Sequence, residues 1–176
     1  MKPARAALLC LLLTFALMGS AKAFPDPFAN THGKKAVVLL FIASDCPISN
    51  SYAPEIQRIC AYYTPRNVAF TLVYSDPDLS LANAKKHARD YGYTSPVLLD
   101  PTHRLARKAG ATVTPEAAVF ALSGKLLYRG RIDNLYVGYG QRRYTVTRHD
   151  LRDALDAVLR GKPVPTPITP AIGCFI

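Results

Sequence analysis

The cysteine at position 46 stands where the sequence changes from a buried-strand pattern to a helical one. Residues 39–42 form an apolar run that is typical of a strand inside a sheet. Pro47 follows, and proline is favoured in the first turn of a helix because its missing N–H is not needed there. Unpaired N–H groups and the positive end of the helix dipole stabilise a thiolate at such a position. Because the thiolate is the reactive form, Cys46 is predicted to be a nucleophilic or redox-active thiol.

The first 23 residues have the pattern of a secretory signal peptide. Two cations open the chain, an apolar stretch covers residues 6–18, and the segment ends in an Ala-x-Ala pattern at Ala23. The apolar stretch is shorter than the ~20 residues that span a membrane, which favours cleavage over a retained anchor. The sequence therefore predicts a secreted or periplasmic protein without a stable membrane span.

Charge and length restrict the class of protein. Cleavage after Ala23 leaves 153 of the 176 residues, which suits one domain with one sizeable core. The formal charge is then +7, three less than the +10 of the whole chain. The basic residues are scattered, apart from a denser group at Arg142, Arg143 and Arg148, and no nucleic-acid motif is present. No nucleic-acid partner is predicted, while an acidic protein or an anionic membrane surface stays open.

Three cysteines remain after the predicted signal peptide: Cys46, Cys60 and Cys174. An exported protein with a purely structural disulfide framework would have an even number. At least one thiol is therefore expected to be free, transiently paired, or paired with another molecule. The four histidines show no ligand spacing with one another or with the cysteines, so we predict no metal site and no cofactor.

Strand and helix patterns alternate along the chain, as in proteins built of α/β layers. The predicted strands are residues 35–43, 68–74, 96–99, 116–122 and 126–131. The predicted helices are residues 47–63, 81–91, 102–109 and a last helix that begins at Thr147 or His149 and runs to Arg160. Residues 133–147 are predicted to be irregular.

This order of elements predicts a single α/β domain with a central mixed sheet flanked by helices. Crossovers through helices give parallel strand pairs, and the turn Ser123-Gly124-Lys125 gives an antiparallel hairpin. The domain is predicted to span residues 35–161. An extended lead-in precedes it at residues 24–34, and a proline-rich tail that contains Cys174 follows it at residues 162–176.

Three segments, in this order and spacing, resemble the redoxin type of thioredoxin-fold protein. The first, over residues 41–56, resembles the family's strand, active-site cysteine and kinked first helix. The second is Val113-Thr114-Pro115-Glu116, which is similar to the family's cis-proline loop. The third, residues 123–131, resembles its final hairpin. The resemblance covers residues 35–160 and lies near the exported thiol–disulfide oxidoreductases and the peroxiredoxin-like redoxins.

The resemblance implies a thioredoxin-like fold with Cys46 as the catalytic nucleophile. It also implies that the bond between Thr114 and Pro115 is cis, a rare geometry that usually marks a tight, functional turn. In this fold the proline loop packs beside the thiol and offers backbone groups to a bound peptide. Thr114 and Pro47 are thus expected to border the substrate, and Pro115 to orient the thiol. The expected partners are protein thiols and disulfides, or peroxide.

Four residues near Cys46 depart from, or complicate, the family pattern. Ser49 replaces the second cysteine of Cys-x-x-Cys, so the local two-thiol cycle is absent. Its hydroxyl is expected either to donate to a Cys46 thiolate or to satisfy helix N–H groups. Ala43 and Leu39 stand where peroxiredoxins usually have threonine and proline, which argues against peroxidase chemistry. Asp45 opposes thiolate formation by its charge, while the helix end favours it.

A second thiol is needed to resolve an intermediate on Cys46 within the chain. Cys60 is fourteen residues further along the predicted helix, ~20 Å away at ~1.5 Å per residue, and its apolar neighbours predict a core position. Cys174 lies on a tail that either folds back or stays extended. Our hypothesis is that Cys174 pairs with Cys46 in one redox state. Pairing between chains or with another protein is the alternative.

Three functions fit these residues. The leading one is an exported thiol–disulfide oxidoreductase in which Cys46 forms a mixed disulfide, released by Cys174 or by an external thiol. The first alternative is a peroxide reductase, in which Cys46 passes through a sulfenic acid. The second is a non-catalytic binding module, which the missing Cys-x-x-Cys favours. Reactivity at Cys46 in either enzyme requires that its sulfur be accessible.

Overall fold

The computed structural model describes residues 26–29 and 31–176, and the predicted signal peptide lies outside them. Nine strands are present in this part of the chain. They are β1 (Ala36–Phe41), β2 (Val68–Tyr74), β3 (Val97–Leu99), β4 (Val113–Thr114), β5 (Glu116–Phe120), β6 (Leu126–Gly130), β7 (Tyr136–Gly138), β8 (Gln141–Arg142) and β9 (Cys174–Phe175).

The central sheet is mixed, as predicted, with five strands in the order β3-β2-β1-β5-β6. β2 is parallel to β1 and β3, whereas β5 is antiparallel to β1 and β6. Two short ribbons, β4 with β9 and β7 with β8, lie outside it. The β7–β8 ribbon falls in residues 133–147, so the prediction of irregular structure was wrong for these two strands.

Five α-helices occur in the described residues. They are α1 (Pro47–Ser51), α2 (Ala53–Tyr63), α3 (Leu81–Asp90), α4 (Arg104–Ala109) and α5 (Asp150–Leu159). The single helix predicted over residues 47–63 is interrupted at Tyr52. Because Pro54 has no N–H to donate to the Asn50 carbonyl, the regular hydrogen-bond ladder cannot pass this point. The short α1 is therefore a helix separate from α2, and Cys46 is its N-terminal capping residue.

The core lies on both faces of the sheet, which explains the continuous apolar run of β1. All six β1 residues are buried. Val38 and Leu40 belong to the cluster that includes α2 and α5. Val37 and Leu39, on the opposite face, belong to the cluster that includes α4. None of the helices in the described residues is long and apolar enough to cross a membrane.

The antiparallel register of β1 and β5 brings together two distant parts of the sequence. Phe41, the last residue of β1, lies opposite Glu116, the first residue of β5. The segment that leaves β1 toward Cys46 and the segment that enters β5 at Pro115 therefore meet at the same edge of the sheet. The fold thus positions the predicted thiol next to the predicted proline loop.

The C-terminal tail folds back along β6 and returns to this edge. Arg129 N–H donates to the Pro167 carbonyl at 2.9 Å, and Thr169 N–H donates to the Arg129 carbonyl at 3.0 Å. Gly130 makes the approach possible, because a Cβ there would lie 2.3 Å from the Thr169 carbonyl oxygen. β9 then pairs antiparallel with β4.

Candidate active site

Cys46 and Cys174 are joined by a disulfide, with a Cα–Cα distance of 6.0 Å across 128 residues of sequence. The pairing hypothesised from the sequence is therefore present. Cys60 is free and buried on α2, as predicted. Burial raises the pKa of the Cys60 thiol to about 11, so this thiol stays protonated and unreactive near neutral pH.

Cys46 caps the N-terminus of α1. Its Sγ accepts a hydrogen bond from the Ser49 N–H at 3.4 Å, and Pro47 occupies the first turn. After reduction, the same N–H would face the thiolate and stabilise it. Asp45 is exposed, so solvent weakens the opposing effect of its carboxylate on the sulfur.

The peptide bond between Thr114 and Pro115 is cis, as expected from the resemblance. The Thr114 carbonyl oxygen lies 3.3 Å from Cys46 Sγ. Since a disulfide sulfur has no proton, this is a close polar contact in the oxidised form. In the dithiol, the Cys46 S–H can donate to the same oxygen. The proline loop thus borders the sulfur through its backbone.

The Ser49 hydroxyl has a different partner from those expected. It is completely buried and accepts a hydrogen bond from the Ala43 N–H at 3.2 Å, just beyond the end of β1. Ser49 contacts Cys46 through its backbone N–H. The side chain therefore ties the end of the strand to the first turn of α1 and fixes the path of the loop between them.

Access to Cys46 differs from the sequence expectation. The residue is only 1% exposed and belongs to the hydrophobic core cluster, and its sulfur is bonded to Cys174 on β9, which runs along β4. Cys174 itself is half-buried, and Phe175 beyond it is exposed. In the oxidised form the tail therefore covers the thiol position that was expected to be open.

Glu116 organises the proline loop and was missed by the sequence analysis. Its buried carboxylate accepts hydrogen bonds from the N–H groups of Thr112 at 2.9 Å and Val113 at 3.4 Å. Arg129 lies 3.4 Å from the other carboxylate oxygen and balances its charge. The sequence does offer one signal, an acidic residue at the start of an apolar strand. A charge buried there needs hydrogen-bond or ionic partners, so Glu116 could have been predicted to bind neighbouring groups.

A hydrogen-bonded chain connects α3 to the loop before Cys46, and no local pattern predicts it. Asn50 donates through Nδ2 to the Ser44 carbonyl at 2.9 Å, so its Oδ1 faces His87 Nε2, also at 2.9 Å. Because that oxygen only accepts, Nε2 carries the proton, and Nδ1 accepts from the Tyr74 hydroxyl at 2.8 Å. The neutral ring of His87 therefore helps to position the loop that precedes Cys46.

We expect His87 to make the protein less stable in mild acid. Burial lowers the pKa of His87 below its ordinary value, against a smaller opposing effect of Asp90. Below about pH 6.5 the unfolded chain therefore binds more protons at His87 than the folded chain does. The contribution of His87 to the free energy of unfolding is complete above this pH and is lost as the pH falls toward the pKa of the folded state. Urea unfolding between pH 7.5 and 5 should show a smaller loss of stability for His87→Gln than for the wild type. His32→Gln, at an exposed position, is the control for the loss of a histidine elsewhere, and a His87→Gln slope equal to that of the wild type would contradict the prediction.

A cavity of about 270 Å³ borders the disulfide on the side of the β1–α1 loop. Its lining includes Thr114, Ser75 and Cys174, and the Oγ1 of Thr114 and Oγ of Ser75 are buried there without hydrogen-bond partners. Across residues 26–29 and 31–176, no three His, Cys, Asp or Glu side chains are grouped to hold a metal ion. This cavity is thus an opening beside the disulfide-bonded Cys174.

The fold and the site define a thioredoxin-like protein with a cysteine pair opposite a cis-proline. The family model named Redoxin matches residues 27–135, and the chain belongs to this redoxin family. No curated protein matches the chain.

Three solved structures illustrate what the chain is similar to. A hypothetical protein from Sinorhizobium meliloti is 31% identical, with 84% of this chain and 82% of that one covered and a TM-score of 0.73. An uncharacterized conserved protein from Geobacillus kaustophilus is 36% identical, with 80% and 76% covered and a TM-score of 0.68. A protein from Chlorobium tepidum, provisionally named a thiol:disulfide interchange protein DsbE, is 20% identical, with 73% and 82% covered and a TM-score of 0.54. This last likeness concerns the fold alone.

Proposed function

We propose that this protein is an exported thiol–disulfide oxidoreductase, with Cys46 as the nucleophile and Cys174 as the resolving thiol. The observation that supports it is the Cys46–Cys174 disulfide at the start of α1, opposite the cis bond that precedes Pro115. Cys174 supplies the second thiol that Ser49 cannot supply. Membership of the redoxin family agrees with this chemistry.

The cycle starts from the dithiol form. The Cys46 thiolate attacks one sulfur of a partner disulfide, a mixed disulfide forms, and the partner's other sulfur leaves as a thiolate. Cys174, as a thiolate, then attacks Cys46 Sγ and releases the partner's remaining thiolate. The partner disulfide is reduced and the Cys46–Cys174 disulfide is formed. An external dithiol regenerates the dithiol form by the same exchange chemistry.

The surrounding groups have separate roles in this cycle. The Ser49 N–H and the N-terminus of α1 stabilise the Cys46 thiolate. Pro115 and the Thr114 carbonyl border the Cys46 sulfur and orient the partner's segment that carries the disulfide. Pro47, next to Cys46, is exposed to solvent. The signal peptide at residues 1–23 directs export, and the tail at residues 162–176 acts as part of the active site.

Trapping the mixed disulfide tests the proposal. Each reduced variant is mixed with oxidised insulin and quenched in acid, and its adducts are measured by mass spectrometry. Cys174→Ser should accumulate an adduct on Cys46, Cys46→Ser should form none, and the control Cys60→Ala should complete the cycle. An adduct that forms equally in Cys46→Ser would contradict the assignment. Oxidation by hydrogen peroxide without any reaction at insulin would instead indicate a peroxide reductase.

A further inference from the structure

The last residues of the chain occupy a strand position beside the active site. Thr114 pairs with Cys174 and Val113 with Phe175 in antiparallel register. The Ile176 N–H donates to the Thr112 carbonyl at 3.0 Å. These are main-chain contacts along one edge of β4, so another extended peptide can replace them, as in peptide recognition by strand addition.

Gly173, the residue before Cys174, lies so close to the proline loop that no side chain would fit at its position. A Cβ at Gly173 would lie 2.0 Å from the Thr114 carbonyl oxygen, 2.5 Å from its carbonyl carbon and 3.2 Å from the Pro115 nitrogen. All three are backbone atoms of a loop that the Glu116 carboxylate holds in place, so none can turn aside like the end of a flexible side chain. A segment that follows this path therefore needs glycine directly before its cysteine.

Contacts on either side of the cysteine are unequal. The Tyr139 hydroxyl, from the loop between β7 and β8, donates to the Gly173 carbonyl and holds the main chain before the cysteine. After the cysteine, Phe175 is 83% exposed. A peptide bound at this position would therefore be selected by the residue before its cysteine, whereas the residue after the cysteine would be nearly unrestricted.

We propose that the tail is an internal substitute for the substrate, an inference that rests on the proposed function. The substrate is then a protein segment in extended conformation, with glycine directly before its reactive cysteine, that pairs with β4 in place of β9. Tail and substrate exclude each other, because both use the Thr112 and Thr114 backbone. When Cys174 resolves the mixed disulfide, the returning tail displaces the product from the strand edge.

Matched peptides test this inference on the full-length chain. Reduced Cys174→Ser reacts with the peptide Ala-Ile-Gly-Cys-Phe-Ile, the sequence of residues 171–176, whose cysteine is activated as a mixed disulfide with thionitrobenzoate. The control peptide has alanine in place of glycine. Cys46 attacks the peptide sulfur, and thionitrobenzoate, a good leaving thiolate of low pKa, is released and measured by absorbance. The glycine peptide should react at least tenfold faster than the alanine peptide.

The same reaction with glutathione carrying thionitrobenzoate separates two kinds of failure. Equal rates for both peptides would overturn the glycine requirement and leave the oxidoreductase in place. Peptide rates no higher than the glutathione rate would overturn docking on β4. No release from any of the three compounds would overturn the proposed function and the inference together.

Competition by the tail provides a second measurement. In the double variant Gly173→Ala, Cys174→Ser the tail fits β4 poorly, so the glycine peptide should react faster than with Cys174→Ser alone. An unchanged or lower rate would contradict mutual exclusion. In Gly138→Ala, Cys174→Ser, the added Cβ meets only the flexible end of Gln141, at 3.3 Å, and the rate should stay at that of the single variant.

Discussion

Loss of the Cys46–Cys174 disulfide is expected to lower the melting temperature by about 10–20 °C. The bond joins residues 128 positions apart, and the chain-entropy relation assigns about 5 kcal/mol to a closed loop of this length. For a chain of this size, each 1 kcal/mol shifts the midpoint by about 2–4 °C. Oxidised wild type and Cys174→Ser should therefore differ by this amount in thermal scans followed by circular dichroism.

Reduced wild type is the matched control for this prediction. It has the same side chains as the oxidised protein but an unconstrained unfolded state, so it should melt close to Cys174→Ser. Cys46→Ser should behave in the same way. If oxidised and reduced wild type melted together, the loop would not be closed by this bond in solution.

The central strands were predictable because they are continuous apolar runs, the pattern of strands that are buried on both faces of a sheet. β2 matches its prediction to the residue, and β1 is shorter than predicted by a few terminal positions. The interruption at Tyr52 agrees with the kinked first helix that the resemblance implies, because Pro54 has no N–H to continue the hydrogen-bond ladder. The β7–β8 ribbon was missed because its tyrosines, glycines and arginines show no alternation.

The candidate site was predictable where its signals are local. Cys46 before Pro47, and Thr114 before Pro115, are short patterns with a direct structural meaning. The role of Cys174 depends on the return of the tail along β6. Gly130 and Gly173 allow this return because the main chain passes too close to other residues for a side chain at either position. These close approaches exist only in the folded chain, so the sequence does not reveal them. Networks such as that of His87 join side chains from separate elements, and neither periodicity nor spacing reveals them.

Gly173→Ala is expected to weaken the Cys46–Cys174 disulfide about tenfold to a hundredfold. The new methyl group would meet the Thr114 carbonyl oxygen at 2.0 Å, so the tail or the loop must shift before the sulfurs can join. Overpacking of this kind costs about 1–3 kcal/mol, and 1.4 kcal/mol is a factor of ten in an equilibrium. The reduction potential of the pair should rise by about 30 mV for each factor of ten, because the disulfide form is the one destabilised.

Equilibration in glutathione buffers of stepped potential, followed by alkylation and mass spectrometry, gives the fraction of protein with this bond. Gly138→Ala is the control, because its added Cβ meets only the Gln141 side chain, and it should titrate with the wild type. A Gly173→Ala curve that overlaid both would mean that the tail reaches Cys46 along another path. The close approach of Gly173 to the proline loop would then have no part in forming the bond, and glycine would confer no advantage on a substrate either.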